Sequence, residues 1–405
     1  MSRKLFGTDG IRGIAGDPPL DARTAHALGV ALGKWARESR ADETAGNPEV
    51  VIGLDTRESG PWLAAEVAGG LKKSGVKTRF AGVITTPGVA YLARTGNFIA
   101  GVMISASHNP YHDNGIKVID HAGYKLADNV EAHLEDLMFQ WLDSGEQAAP
   151  ETLQADATLD HLYSDYLLSA ITGELPFRLV VDCANGSATA VAPDLFRRLG
   201  VQTILIGNTP DGRNINLDCG SLHLENLRNK VLETGADAGI AFDGDADRAL
   251  FVSHTGKIID GDAILYLAGT ALKNKGRLPG DVIVATVMSN LGLEKALAAN
   301  HIALIRTPVG DKYVLEEMLK RQAALGGEQS GHVIFSDFAT TGDGILTALR
   351  VFETLRDSGK TFDSLTDEIK TFPQQLVNIR GKEKRPLNTL TSVQREIAAG
   401  EEEFN

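Results

Sequence analysis

The feature that most confines this chain is a unit of apolar strand, polar turn, helix and second strand that can be read three times. The first copy runs through Val50-Val51-Ile52-Gly53-Leu54-Asp55, a helix containing Ala64 and Leu71, and a new run at Gly75-Val76. The second starts at Leu179-Val180-Val181-Asp182 and returns at Ile204-Leu205-Ile206. The third starts at Val282-Ile283-Val284-Ala285-Thr286 and returns between His301 and Ile305. β-Branched runs alternating with helices of this length predict βαβ units on a mainly parallel sheet. Three separated copies predict three related α/β domains rather than one large sheet.

Local composition supplies boundaries. Leu126 to Leu142 has Val130, Leu134, Met138 and Trp141 on one helical face and is followed by a polar stretch from Asp143 to Pro150. Further breaks fall at Asp260-Gly261-Asp262 and near Thr371-Phe372-Pro373. The expected division is 1–150, 151–260, 261–370 and a short remainder, 371–405.

A net charge of -13 argues against nucleic acid, which calls for a basic face. It leaves room for a phosphorylated small molecule, because a cation and a few Arg or Lys side chains can reverse the potential inside one cleft. Two cysteines, Cys183 and Cys219, form no disulfide framework and point to a reducing, cytoplasmic location. No stretch approaches ~18 uninterrupted apolar residues, so no membrane span is expected.

Three loops carry the candidate chemistry. Phe242-Asp243-Gly244-Asp245-Ala246-Asp247-Arg248 follows an apolar run and places carboxylates at alternate positions. Three converging acids repel one another unless a hard divalent cation sits between them, and Arg248 then suits an anionic oxygen nearby. An Asp-rich turn at a strand end accounts for the same letters. Ile104-Ser105-Ala106-Ser107-His108-Asn109-Pro110 reads as a tight exposed loop whose serine can carry a phosphoryl group, with His108 and Lys117 as local proton carriers. Each also has a plain reading as a turn cap, a loop histidine or a solvated lysine. Gly326-Gly327-Glu328-Gln329-Ser330-Gly331-His332 brings backbone close to a ligand and offers a carboxylate and a hydroxyl to sugar hydroxyls. Thr8 and Arg12 are candidate anion binders, and Lys312 sits at the expected opening of a helix, where phosphate is favoured.

Taken together, the segments FGTDGIRG (6–13), ISASHNP (104–110), DNGIK (113–117), DCANG (182–186), NINLDCGS (214–221), AFDGDADR (241–248), VGDKYV (309–314) and GGEQSGH (326–332) resemble the α-D-phosphohexomutases. NINLDCGS and Gln329 favour the glucosamine branch over the glucose and mannose branches. The resemblance implies three related α/β domains around a central cleft, with a smaller fourth. It implies a phosphoserine at Ser105, one Mg²⁺ on Asp243, Asp245, Asp247 and Ser105, Arg248 beside the phosphoserine, and Lys117 as general acid/base. Glu328 and Ser330, with His332 nearby, would hold the sugar. The implied activity is isomerisation of glucosamine 6-phosphate and glucosamine 1-phosphate through glucosamine 1,6-bisphosphate, which also serves as activator, for cell-wall precursors. The partner is then an amino-sugar phosphate, with a homodimer left open. A phosphoglucomutase or phosphomannomutase, or a sugar phosphatase passing the phosphoryl group to water, are the rival readings.

One departure stands out. The family's Arg-x-Ser-Gly-Thr-Glu-Pro phosphate loop does not occur in this sequence, and the run from Gln375 to Arg380 is followed by one helical pattern from Leu387 to about Glu402. One strand and one helix cannot close a sheet. The expectation is an incomplete fourth domain.

Overall fold

The computed structural model describes residues 5–7, 9–39, 48–377 and 387–404. The chain divides into two units, Met1–Thr371 and Phe372–Asn405.

The first unit holds three sheets built on one plan. In the first, β1 (Ile11–Ile14) and α1 (Ala22–Ser39) precede the run β2 (Glu49–Leu54), α2 (Gly60–Lys73), β3 (Lys77–Val83), α3 (Thr86–Thr95), β4 (Ala100–Ile104), β5 (Asp113–Asp120) and α4 (Asp128–Asp143). After the connecting helix α5 (Thr158–Ser169) come β6 (Arg178–Asp182), α6 (Ala188–Arg198), β7 (Gln202–Ile206), α7 (Glu225–Thr234), β8 (Ala238–Phe242), β9 (Ala249–Ser253) and β10 (Ile258–Ile259). The third set is α8 (Gly261–Asn274), β11 (Val282–Thr286), α9 (Leu291–Ala299), β12 (Ala303–Thr307), α10 (Asp311–Arg321), β13 (Leu325–Gly327), β14 (Val333–Phe335), α11 (Gly344–Ser358) and the short α12 (Phe362–Thr366).

Strand orders are β1-β5-β4-β2-β3, β10-β9-β8-β6-β7 and β12-β11-β13-β14. In each sheet a central strand (β2, β6 or β11) pairs in parallel with both neighbours, and one of those neighbours (β4, β8 or β13) pairs antiparallel with the strand that follows it. The expected mixed sheets are therefore present three times over, but only the third is mainly parallel; the first two have two parallel and two antiparallel pairings each. The βαβ copies legible in the sequence supply only the parallel half of each sheet; the antiparallel closing strands carry the loops of interest.

Packing follows from the apolar faces. Leu28 and Leu32 of α1, Leu63 and Val67 of α2 and Leu134 and Met138 of α4 form one core on the first sheet, while Val89 and Ala93 of α3 cover its other face. The second and third sheets share a continuous core, in which Phe251, Phe352 and Phe362 meet ring to ring at 5.6–6.0 Å. Burial of one such aromatic contributes ~1.5–3 kcal/mol, which ties the two sheets into a stiff frame. Among the described residues no helix is long and apolar enough to cross a membrane.

The second unit contains irregular chain over 372–377, a 3₁₀ turn at Leu387–Thr389 and α13 (Thr391–Phe404). The helix matches expectation. Gln375 to Val377 are not in a strand, and the rest of that run, Asn378 to Arg380, lies outside the described residues.

Candidate active site

The three chemistry-bearing loops occupy equivalent places. Each leaves the end of a parallel strand (β4, β8 or β13) and enters the antiparallel strand that follows it (β5, β9 or β14). In open α/β sheets the carboxyl ends of parallel strands are where ligands gather, because the chain must turn there and leaves a crevice. Loop contacts join the three ends: Thr86 N donates to Asp245 O at 3.0 Å, and Arg248 and His332 form an antiparallel bridge.

Asp243, Asp245 and Asp247 are buried, with one oxygen of each within 4.8 Å of the others. Asp245 Oδ2 accepts from Lys117 Nζ at 2.8 Å and from Thr86 Oγ1 at 2.5 Å. Asp245 Oδ1 and Asp247 Oδ1 are buried and have no hydrogen-bond donor among the described residues. Burial, then repulsion from its two neighbours, pushes the Asp243 carboxyl well above the usual range; burial and Asp245 do the same to Asp247. Burial also works against Asp245, but Lys117 and Thr86 outweigh it and hold that carboxyl below its ordinary value. Hard oxygen donors, convergent and short of positive charge, fit a divalent cation. An Asp-rich turn on its own would leave these charges solvated.

The resemblance assigns the phosphoryl-carrying, metal-facing hydroxyl to Ser105, but the structure turns Ser105 away from the acid trio. Ser105 is 0% exposed; its Oγ donates to Asp55 Oδ2 at 2.6 Å and accepts from Ser107 N at 2.9 Å. The hydroxyl that reaches the carboxylates is that of Ser107, which donates to Asp243 Oδ2 at 2.5 Å and lines the cleft. Two residues on, in a strand, a side chain would point the same way. Here the backbone turns left-handed at Ser107 (φ 52°), so the two serines part company.

Small residues allow this approach. A Cβ on Gly244 would lie 2.4 Å from Ser107 O, and one on Gly186 would lie 2.3 Å from Gly244 O. The glycines of DCANG and FDGDAD therefore let three backbones stack under the serine.

The cleft has a volume of about 410 Å³, and Asp9, Arg12, His108 and Arg248 line it beside Ser107 and Asp247. Glu328, His332 and Asp311 form its far wall. His108 Nδ1 is 3.3 Å from Ser107 Oγ, and burial together with Arg248 and Arg12 lowers its pKa to about 4, so it is neutral at pH 7. Arg248 N donates to Asp243 Oδ1 at 3.1 Å, while its Nε has no hydrogen-bond partner among the described residues. Arg12 pairs with Asp9 and donates to Ala106 O at 3.4 Å. Glu328 Oε1 accepts from Gly310 N at 3.2 Å, and Ser330 Oγ stands 3.5 Å from Glu328 Oε2. His332 Nε2 accepts from Gly342 N at 3.2 Å.

Lys117 lies one layer behind, 3% exposed, between Asp245 and Asp9. Burial pulls its pKa down, but Asp245, Asp9 and Asp247 outweigh that and push it above the ordinary lysine value. It is an ammonium here. Lys312 is where the sequence puts it, at the start of α10, but its side chain pairs with Asp128 and faces a neighbouring pocket rather than the cleft. Its assignment as an anion binder is not supported by that placement. Thr8 lies outside the described residues.

Sequence reasoning passed over Asp9, Asp55, Arg57, Thr86, Lys125 and Asp311. Lys125 bonds Asp9 Oδ1 at 2.5 Å and Asp311 Oδ2 at 2.6 Å, closing a chain of charges from the first sheet to the third. Asp9 and Asp311 lie inside the FGTDGIRG and VGDKYV segments, beside the residues whose chemistry stands out there; Lys125 lies in no motif.

With this geometry in hand, comparison with known proteins is direct. The chain matches the Phosphoglucomutase/phosphomannomutase alpha/beta/alpha domains I, II and III over residues 3–144, 157–256 and 260–372. It is 53% identical over 405 residues to the phosphoglucosamine mutase of Solibacter usitatus, covering all of this chain and 90% of that protein. It is 48% identical to the phosphoglucosamine mutase of Koribacter versatilis, covering 99% of this chain and 88% of that one. A solved phosphoglucomutase/phosphomannomutase family protein of Burkholderia thailandensis superposes with a TM-score of 0.76 at 27% identity, over 91% of this chain and 80% of that one.

Proposed function

Because the chain belongs to the phosphoglucomutase/phosphomannomutase family, we propose that it is an isomerase interconverting glucosamine 6-phosphate and glucosamine 1-phosphate, with Ser107 carrying the phosphoryl group. The observation that supports the second half is the contact of Ser107 Oγ with Asp243 at the mouth of the cleft. The relatives named phosphoglucosamine mutase support the first.

In the forward half-reaction the P–O bond to Ser107 Oγ breaks as a new one forms to the free hydroxyl of the bound sugar. That hydroxyl loses its proton and Ser107 Oγ regains one, leaving glucosamine 1,6-bisphosphate. The bisphosphate turns over in the cleft, and its other phosphate returns to Ser107 by the reverse route. His108, neutral and 3.3 Å from Ser107 Oγ, is suited to pass the proton. Lys117, held as an ammonium by two carboxylates, orders Asp9 and Asp245 rather than moving the proton. Arg12 and Arg248 are suited to phosphate oxygens, and Glu328, Ser330 and His332 to sugar hydroxyls. Asp243, Asp245 and Asp247 with an oxygen on Ser107 would hold Mg²⁺, which supplies neutralisation of the transferring phosphoryl charge. The division at residues 150, 260 and 370 belongs to the same reading, as does a cytoplasmic location, which the two free cysteines support.

The test is a coupled assay of glucosamine 6-phosphate with magnesium, beside site-localised mass spectrometry of the protein's phosphate. The expectation is glucosamine 1-phosphate as product and phosphate on Ser107. Release of inorganic phosphate alone, or a higher kcat/KM for glucose or mannose 6-phosphate, would refute the assigned reaction.

A further inference from the structure

Ser107 hands both of its backbone polar groups to one buried cluster. Its N–H donates to Ser105 Oγ at 2.9 Å, and Ser105 Oγ in turn donates to Asp55 Oδ2 at 2.6 Å. Its carbonyl accepts from Arg57 Nη2 at 3.1 Å, and Arg57 closes the circuit through an ion pair with the same Asp55 oxygen. Arg57 Nη2 also reaches Asn109 O at 2.6 Å. From the second sheet, Asn216 Nδ2 donates to the same two carbonyls at 2.9 and 3.1 Å.

We propose that Asp55, Arg57 and Ser105 form a positioning unit that holds Ser107 in its left-handed conformation and so aims its hydroxyl at the metal loop. The proposal rests on Ser107 being the phosphoryl carrier. Its physical basis is a comparison of costs. A non-glycine residue at positive φ costs ~1–3 kcal/mol and persists only where its surroundings over-determine it. Here the N–H and the C=O flanking that strained bond are both fixed. A fully buried ion pair, by contrast, is weak evidence of stabilisation, since apolar replacements often do as well. Arg57 is 1% exposed and directs its second nitrogen to loop carbonyls rather than to the core around it. The unit explains why a buried serine and a buried arginine stand under a loop whose reacting group is two residues away.

The readout is the first-order rate constant for phosphoryl transfer from pre-phosphorylated enzyme to glucosamine 6-phosphate in a single turnover. That constant does not depend on how much of a sample is folded, so a merely structural role leaves it unchanged. Ser105→Ala strands the Ser107 N–H, and Arg57→Lys keeps the charge but loses the fork. Each is expected to lower the rate constant ~10- to 100-fold, the scale set by misplacing a reacting group, with KM within about twofold of wild type. A Ser105→Ala rate constant within twofold of wild type, or a change confined to KM, overturns the proposal while leaving Ser107 as carrier intact. Phosphate found on Ser105 in the wild-type protein, or turnover surviving in Ser107→Ala, overturns the underlying assignment instead.

Discussion

Replacing Gly244 with alanine would set a Cβ 2.4 Å from the carbonyl oxygen of Ser107, and 2.9 Å from both Asn216 Nδ2 and Ile215 Cδ1. Gly244 is not among the residues at positive φ, so the backbone itself accepts an alanine and the whole effect is steric. Ordinary contact begins at 3.4 Å, so the two loops must separate by about 1 Å. Neither side can yield by rotating a side chain, because the closest atom is main chain. Overpacking of this kind costs ~1–3 kcal/mol of stability. The functional cost is larger, because the displaced atom belongs to Ser107, the proposed phosphoryl carrier, and a 1 Å misplacement can lower a rate ~100-fold. The assay is steady-state turnover of glucosamine 6-phosphate with saturating magnesium, beside a denaturation curve. Gly244→Ala should fold, lose about two orders of magnitude in kcat and keep its KM. Gly60→Ala, whose nearest contact would be 3.5 Å, is the control and should match wild type. A Gly244→Ala enzyme within threefold of wild-type kcat would show that the spacing of these loops does not set the reaction geometry.

Three further outcomes follow from the same geometry. Asp245→Asn, which removes one of three hard donors, should weaken magnesium activation by more than about tenfold; an unchanged activation constant would mean the trio is a turn and nothing more. Asp262, buried at the start of α8, has its pKa raised to about 6, chiefly by burial. A carboxyl with a raised folded-state pKa favours the native state most below about pH 4, and that contribution disappears as pH climbs through 6. The difference is roughly 3 kcal/mol at 1.36 kcal/mol per unit, and Asp262→Asn should flatten the stability curve across that window in urea titrations. Burial and the Asp182 charge raise both cysteine thiols, Cys219 to about 12, so native protein should resist alkylation at pH 8 and react fully once unfolded.

How much of this was legible beforehand depends on the range of the interactions involved. The parallel strands and their crossover helices are local, and the runs at Val50, Leu179 and Val282 announced them. Of the antiparallel strands, β5 is polar at half its positions and β14 is three residues long, so both make sense only beside their partners; β9 is as long and apolar as the parallel strands, and its local pattern does not mark its direction. The acid trio was legible because its three members fall within five residues. The choice between Ser105 and Ser107 was not. Both flank Ala106, and what separates them is a left-handed turn enforced by Asp55 and Arg57, some fifty residues earlier, and by Gly244 and Asn216, more than a hundred residues later. Lys125 is similar: an unremarkable lysine until Asp9 and Asp311 arrive from two other segments. Lys312 shows the reverse case. Its position at a helix start was correctly foreseen, but the side chain is taken by Asp128.

The most direct test is crystallographic: phosphorylated protein grown with Mn²⁺ in place of magnesium, with an anomalous difference map to locate the ion. A single peak bounded by Asp243, Asp245, Asp247 and the phosphoryl oxygen on Ser107 is the expected result. A peak away from those carboxylates, or a phosphoryl group standing on Ser105, would contradict the account.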